Sequence, residues 1–241
     1  IQINGLEGPY TMILIDGMPI VSSLSTVYGL SGIPNSMVKR IEVVKGPAST
    51  LYGSEAVGGL INVITRDPSQ ASRWQIDTYG TSVGEFNLDV SGAFKMQRVT
   101  SLLGINHFRY NERRDINQDN FTDVTLQNRI SVFNKWNFPV FSGKMASLAG
   151  RIFYEDRWGG EISWEKNLRG SDQVYGESIF TNRYELIGTS PLSAREDLSF
   201  DFSYNYHHQN SYYGTTFYLA SQHVGFAQIR WNKAYGDHDL L

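Results

Sequence analysis

The chain has 241 residues, a net charge of -3, five histidines and no cysteine. The missing cysteine excludes a thiolate metal site, a catalytic thiol and a disulfide framework, and the charge offers no basic face to nucleic acid. No apolar run approaches the ~18–20 residues of a membrane helix, a test that alternating strands of a membrane barrel escape.

In chain order, Tyr10–Ile15 reads as a buried strand and Asp16-Gly17 as a two-residue type I′ hairpin turn, which needs positive φ at both positions. Met18–Val21 is the expected return strand, Ser22–Ser31 a loop, and Pro34 the start of a short helix through about Val38. Two β-branched runs follow, Ile41–Val44 and Leu60–Thr65, and Gly46-Pro47 ends the first of them. Ala48–Leu51 suits one helical turn stopped by Gly53, and Gly58-Gly59 permits a tight bend before the second run.

Asp67–Gln70 is a linker by composition, and from Arg73 onward apolar and polar residues alternate. The runs around Phe86–Phe94, Leu126–Trp136, Leu148–Tyr154 and Leu198–Tyr206 are the clearest. About eight strands are expected between Arg73 and Trp231, most near ~10 residues or longer, with aromatics gathered towards their ends. Short connections (Lys95–Gln97, Pro139–Lys144, Pro191–Asp197) alternate with long ones (Arg113–Asp123, Asp156–Ser178, Ser211–Gln222). The expected fold is mainly β: a small mixed α/β unit over residues 1–70, then antiparallel transmembrane barrel strands over 71–241, truncated at both ends.

Residues 1–67 carry more than periodicity. Arg40-Ile41-Glu42-Val43-Val44-Lys45-Gly46-Pro47, Leu51-Tyr52-Gly53 and Gly58-Gly59-Leu60-Ile61-Asn62-Val63-Ile64-Thr65, with Ile13-Leu14-Ile15-Asp16-Gly17 before them, resemble the plug-domain signature of TonB-dependent outer-membrane receptors. The resemblance implies a plug inside a barrel of about 22 strands, in the outer membrane of a Gram-negative bacterium. It implies import of a scarce nutrient such as haem, cobalamin or an iron chelate, with the haem and cobalamin receptors the nearest type. The implied partners are the periplasmic TonB energy-coupling complex, the small-molecule ligand, outer-membrane lipids and a surface lipoprotein. Asp16, Gly17, Arg40, Glu42, Gly46, Pro47, Tyr52, Gly53, Gly58, Gly59 and Asn62 would be the structural motif of the plug, with Lys39, Arg40, Glu42, Lys45, Glu55 and Arg66 facing the lumen. The alternative is a non-transporting barrel, an adhesin or a porin-like protein.

Three further patterns bear on chemistry. Gly80-Thr81-Ser82-Val83-Gly84 matches the G-x-S-x-G nucleophile elbow, but a strand rather than a helix follows it, so no enzyme is expected. Asp115, Asn117, Asp119 and Asp123 space oxygen ligands like the start of a calcium loop; Asn120 and Leu126 then stand where an EF-hand needs Gly and Glu, so any Ca²⁺ site would be of another kind, and a solvated polar loop is the alternative. Trp158, Trp164, Arg169 and Tyr175, in the longest loop, suit capture of a ligand or protein, or packing on neighbouring loops. Among the histidines, His207 and His208 are adjacent and so must point to opposite faces.

Overall fold

The computed structural model describes residues 10–20, 31–46, 56–141, 143–235 and 238–240. The N-terminal unit is a four-stranded sheet built from β1 (Thr11–Ile15), β2 (Met18–Pro19), β3 (Val38–Lys45) and β4 (Gly59–Thr65), in the order β2-β1-β4-β3. β1 pairs in parallel with β4, which is why both are apolar runs buried along nearly their whole length. Asp16 and Gly17 take φ of 51° and 81°, giving the expected positive-φ turn. The helix expected after Pro34 is a single 3₁₀ turn, Asn35–Met37, and β3 starts at Val38. Of the two expected hinge glycines, Gly59 has φ of 137°, and Gly46 has φ of 111° at the other end of the connection. Pro47, Tyr52, Gly53 and the helical turn expected over Ala48–Leu51 lie outside the described residues.

The rest of the chain is one antiparallel meander: β5 (Trp74–Gly80), β6 (Glu85–Met96), β7 (Val99–Tyr110), β8 (Leu126–Phe141), β9 (Lys144–Gly160), β10 (Gly176–Pro191), β11 (Asp197–Tyr213), β12 (Thr216–Tyr235) and β13 (His238–Leu240), each paired with its neighbour in sequence. The expected loop over Ser211–Gln222 is instead a hairpin. β11 and β12 stay in register to Tyr213↔Thr216 and close through Gly214, which has φ of 59°. That segment is rich in Tyr, Phe and Thr, which suit an extended ladder, and Gly214 is its one breaker. The Asp156–Ser178 loop is likewise shorter than expected, because β9 runs on to Gly160 and β10 starts at Gly176.

The polarity of this sheet is inverted relative to a soluble protein. On one face, Ile130, Ile152, Tyr184 and Tyr204 are 45, 57, 48 and 44% exposed. Their chain neighbours on the other face, Ser131, Arg151, Arg183 and Asn205, are at most 2% exposed. The concave polar face holds the N-terminal sheet. Where they meet, Ile13, Ile15, Met18, Ile20 and Met37 share a small apolar core with Leu102, Phe133, Ala149 and Ile187. Two glycines allow that approach. A Cβ on Gly104 of β7 would overlap Met37 Sδ and lie 3.1 Å from Pro34 Cγ, and one on Gly32 would lie 2.9 Å from the Phe153 ring.

Gly104→Ile should therefore push the N-terminal sheet off the wall while leaving the meander paired. In planar bilayers the full-length protein carrying it should show raised basal ion conductance; conductance at the wild-type level would contradict this packing.

Candidate functional site

The site is the seam between the N-terminal sheet and the inner wall. The Asp16-Gly17 turn is held from below by β4. Gly17 N donates to Asn62 Oδ1 at 2.9 Å, Thr65 N to Asp16 Oδ1 at 2.8 Å and Thr65 Oγ1 to Asp16 Oδ2 at 2.7 Å. Across the seam, Lys135 of β8 donates through Nζ to Asp16 Oδ2 at 2.8 Å and to Thr65 Oγ1 at 2.7 Å. On the far side, Asn62 Nδ2 donates to Glu42 Oε2 at 3.1 Å, and Arg40 Nε to Glu42 Oε1 at 2.7 Å. Five motif residues thus form one hydrogen-bonded path from the edge of the N-terminal sheet to the barrel wall. Two more contacts tie β2 and the residue after it to β11: Ser203 Oγ donates to Pro19 O at 2.6 Å and Asn205 Nδ2 to Ile20 O.

Lys135 and Asp16 are only 11 and 23% exposed at their side chains, so water screens this pair poorly and it is more than a surface ion pair. Lys39, Arg40 and Lys45, expected to face the lumen, stand exposed on edge strand β3, away from the nine-stranded wall; Glu55 is outside the described residues. A cleft of about 140 Å³ opens beside Asp16 and Lys135, bounded further along by Asp201 and Arg230, which pair at 3.3 Å.

Higher on the wall the inward face is strongly charged. Arg151 and Glu185 form a two-pronged pair, with Nε to Oε2 and Nη2 to Oε1 both 2.8 Å. Arg183 lies 4.1 Å from the Phe153 ring centre, and Arg157 reaches Glu155 at 2.8 Å. Sequence reasoning passed over these residues because each looks like an ordinary polar partner in an alternating strand. The signal that finds them is the pairing register, which sets Arg183 beside Phe153 and Glu185 beside Arg151.

The outer-loop candidates fall on the opposite side of the wall. Trp158 shares the outward parity of exposed Ile152, and Trp164 is buried against it with ring centres 5.3 Å apart. Arg169 donates to Ser178 Oγ at 3.0 Å and Asn210 Oδ1 at 2.6 Å, and covers Tyr212 at 4.5 Å. Burial among these groups pulls the Arg169 pKa below its usual range. These three pack the 161–175 loop outward over β9–β11; they do not line the lumen. Tyr175 does face the other way, tilted on Phe121 at 6.3 Å, and its hydrogen bond to the Glu177 carboxylate raises its pKa.

The acidic loop spends its carboxylates on its own backbone. Asp115 accepts from Asp119 N and Asn120 N at 3.0 and 2.9 Å, Asp119 from Phe121 N at 2.9 Å, and Asp123 from Ile116 N at 2.7 Å. Asn117 Nδ2 donates to Asp119 Oδ2 at 2.9 Å. Among the described residues no three His, Asp or Glu side chains are grouped to hold a metal. These bonds form Asx-type turns within the loop. Ser82 lies in the exposed turn between β5 and β6, where its carbonyl accepts from Arg114. His207 is buried on the inner face, and His208 is outward beside Ser221.

Residues 1–60 match the model of the TonB-dependent Receptor Plug Domain. Over that quarter of the chain the sequence is similar to the plug of TonB-dependent receptors. The ferric enterobactin receptor PirA of Pseudomonas aeruginosa is 37% identical over 99 residues, which is 37% of this chain and 13% of that protein. The probable TonB-dependent siderophore receptor PirA of Acinetobacter baumannii is 29% identical over 153 residues, 56% of this chain and 20% of that protein. The aligned stretches cover a fifth or less of these relatives' length, so this chain matches only part of each. The solved structure of the A. baumannii siderophore receptor PirA superposes with a TM-score of 0.63 at 15% identity, covering 98% of this chain and 39% of that one. The ferric-catecholate import receptor Fiu of E. coli gives 0.61 at 12%, covering 98% and 42%. At these identities the structures establish the fold: part of a plug seated on the wall of an antiparallel β-barrel.

Two outcomes follow from the plug seam and the outer loop. Lys135→Met removes a charge-assisted bond of about 1–3 kcal/mol, so the Gly17 and Thr65 amides should lose hydrogen-exchange protection while the β8–β9 amides keep theirs. Arg169→Ala should open the 161–175 loop to limited proteolysis without changing plug exchange. If either substitution perturbs both regions equally, the two elements are not separate.

Proposed function

We propose that this chain is part of an outer-membrane receptor of Gram-negative bacteria that imports a ferric chelate through a plugged β-barrel. Opening would be driven from the periplasm by the TonB complex. The observation that carries this reading is the polar seam: the plug is held by Asp16, Thr65 and Lys135, with only a small apolar core behind them. Hydrogen bonds of this kind exchange with water at small net cost, so the seam can part and re-form without unfolding the wall. A ligand alone shifts such an equilibrium only by its differential affinity for the two states, which is why an external energy source belongs to the mechanism.

The choice of an iron chelate over haem or cobalamin, the type first expected, rests on the relatives, which are named for ferric enterobactin and siderophores. The inner face is compatible with it: Arg129, Arg151, Arg157 and Arg183 cluster there, interleaved with the carboxylates Asp89, Glu155 and Glu185, and guanidinium groups in such a cluster can pair with an anionic complex.

Cells that depend on the full-length receptor should accumulate labelled iron from a ferric tris-catecholate and not from haem, and should not accumulate labelled cobalamin. Arg183→Gln together with Arg151→Gln should lower ferric uptake about 10-fold or more at unchanged surface level. Haem-supported growth, or undiminished ferric uptake in the double variant, would overturn the assignment.

A further inference from the structure

Three outer connections of the wall are stitched into one body. The 111–125 connection and the 161–175 loop meet in an antiparallel bridge, Phe121↔Glu161. On either side of it, Thr122 N donates to Gly160 O at 2.8 Å and Ile162 N to Asn120 O at 2.9 Å. Gly160 permits this approach: its φ is 145°, and a Cβ there would lie 2.5 Å from Gly176 Cα and from Tyr175 O. Two successive arginines hold the stitch. Arg114 Nη2 donates to Ser82 O of the β5–β6 turn at 3.2 Å, and Arg113 Nη1 to Ile162 O at 2.9 Å. The Arg113 guanidinium also covers the outward Trp158 ring at 5.1 Å, so it is held at two points.

On the lumen side the same bridge ends in the Phe121–Tyr175 pair, whose side chains are 41 and 45% exposed. Tyr175 is fixed by what the bridge supplies. Its N donates to Glu161 Oε1 at 2.9 Å, its carbonyl accepts from Glu161 N at 3.0 Å, and its Oη donates to Glu177 Oε1 at 2.9 Å. Glu161 is the bridge partner of Phe121, and the residue after it is the one that Arg113 holds. The structure assigns Arg113 the role of a positioning residue: from the outer side of the wall, without touching the ligand, it sets the aromatic pair with which the mouth receives that ligand. In the ferric-chelate receptor proposed above, on which this assignment rests, rings fixed before the ligand arrives lose less entropy on binding. Loosening the stitch therefore costs affinity without removing a ligand contact.

The test uses the purified full-length receptor in detergent, with a ferric tris-catecholate as the probe. R113Q should weaken its binding about 5-fold, and R109Q, which removes an exposed cation near the end of β7, should leave it unchanged. In the F121A/Y175A background R113Q should add no further loss, because the rings through which it acts are gone. Hydrogen exchange without ligand follows the stitch itself. In R113Q the Thr122, Glu161, Ile162 and Tyr175 amides should lose protection together, while the β8–β9 ladder keeps its own and shows that the variant is folded. Wild-type affinity in R113Q, an equal loss in R109Q, or a full R113Q loss in the double-alanine background would overturn the proposal. Retained protection at Glu161 and Tyr175 in R113Q would overturn it whether or not the wild-type protein binds the probe. A wild type that does not bind the probe, with the four amides responding as expected, upholds Arg113's hold on the pair and contradicts only the ferric-chelate reading.

Discussion

Everything in this structure depends on a wall one strand thick that must be apolar outside and polar inside. In hydrocarbon no backbone N–H or C=O can go unpaired, so the chain runs as a meander in which each strand bonds laterally to the next in sequence. With the backbone satisfied, the alternation of side chains decides the rest. Ile130, Ile152 and Tyr204 are left bare, while Arg151, Arg183 and Asn205 are covered. A soluble sheet with those exposures would aggregate. As the outer wall of the proposed receptor, the same surface would be matched to lipid.

The polar interior then dictates how the plug is held. A plug fastened mainly by apolar contact would have to expose that surface on opening. Here the apolar contact is confined to one cluster around Met37 and Phe133, and glycines at 32 and 104 let the backbone come close there. The remainder is hydrogen bonds: the Asp16 carboxylate shared between Thr65 and Lys135, and carbonyls of Pro19 and Ile20 received by β11. The same Asp16-Gly17 turn that closes β1 onto β2 therefore also meets the barrel. Its positive φ angles are a local requirement, and its carboxylate is a long-range one.

That division explains what the sequence revealed. Period-two alternation, the turn at Asp16-Gly17 and the glycines around the β3–β4 connection are local signals, and the plug motif is a local pattern. The hairpin at 211–222 is hidden from the sequence because a segment rich in Tyr and Thr with a central glycine resembles a surface loop until its register with β11 is known. The direction of Trp158, Trp164 and Arg169 is a matter of strand parity, which a one-residue error in register reverses. Aspartates at alternate positions read the same whether they will bind a cation or cap backbone amides. The Lys135–Asp16 bond spans 119 residues and has no local signature.

The inverted wall is tested most directly by scanning β9 with single spin labels from Leu148 to Phe153 in the full-length receptor reconstituted in lipid. Collision with oxygen, which partitions into the bilayer, should alternate with period two. Labels at 148, 150 and 152 should be accessible, and labels at 149, 151 and 153 should be shielded by the plug. Alternation of the opposite phase, or uniform access to a water-soluble relaxation agent along the strand, would contradict a polar lumen behind an apolar outer face.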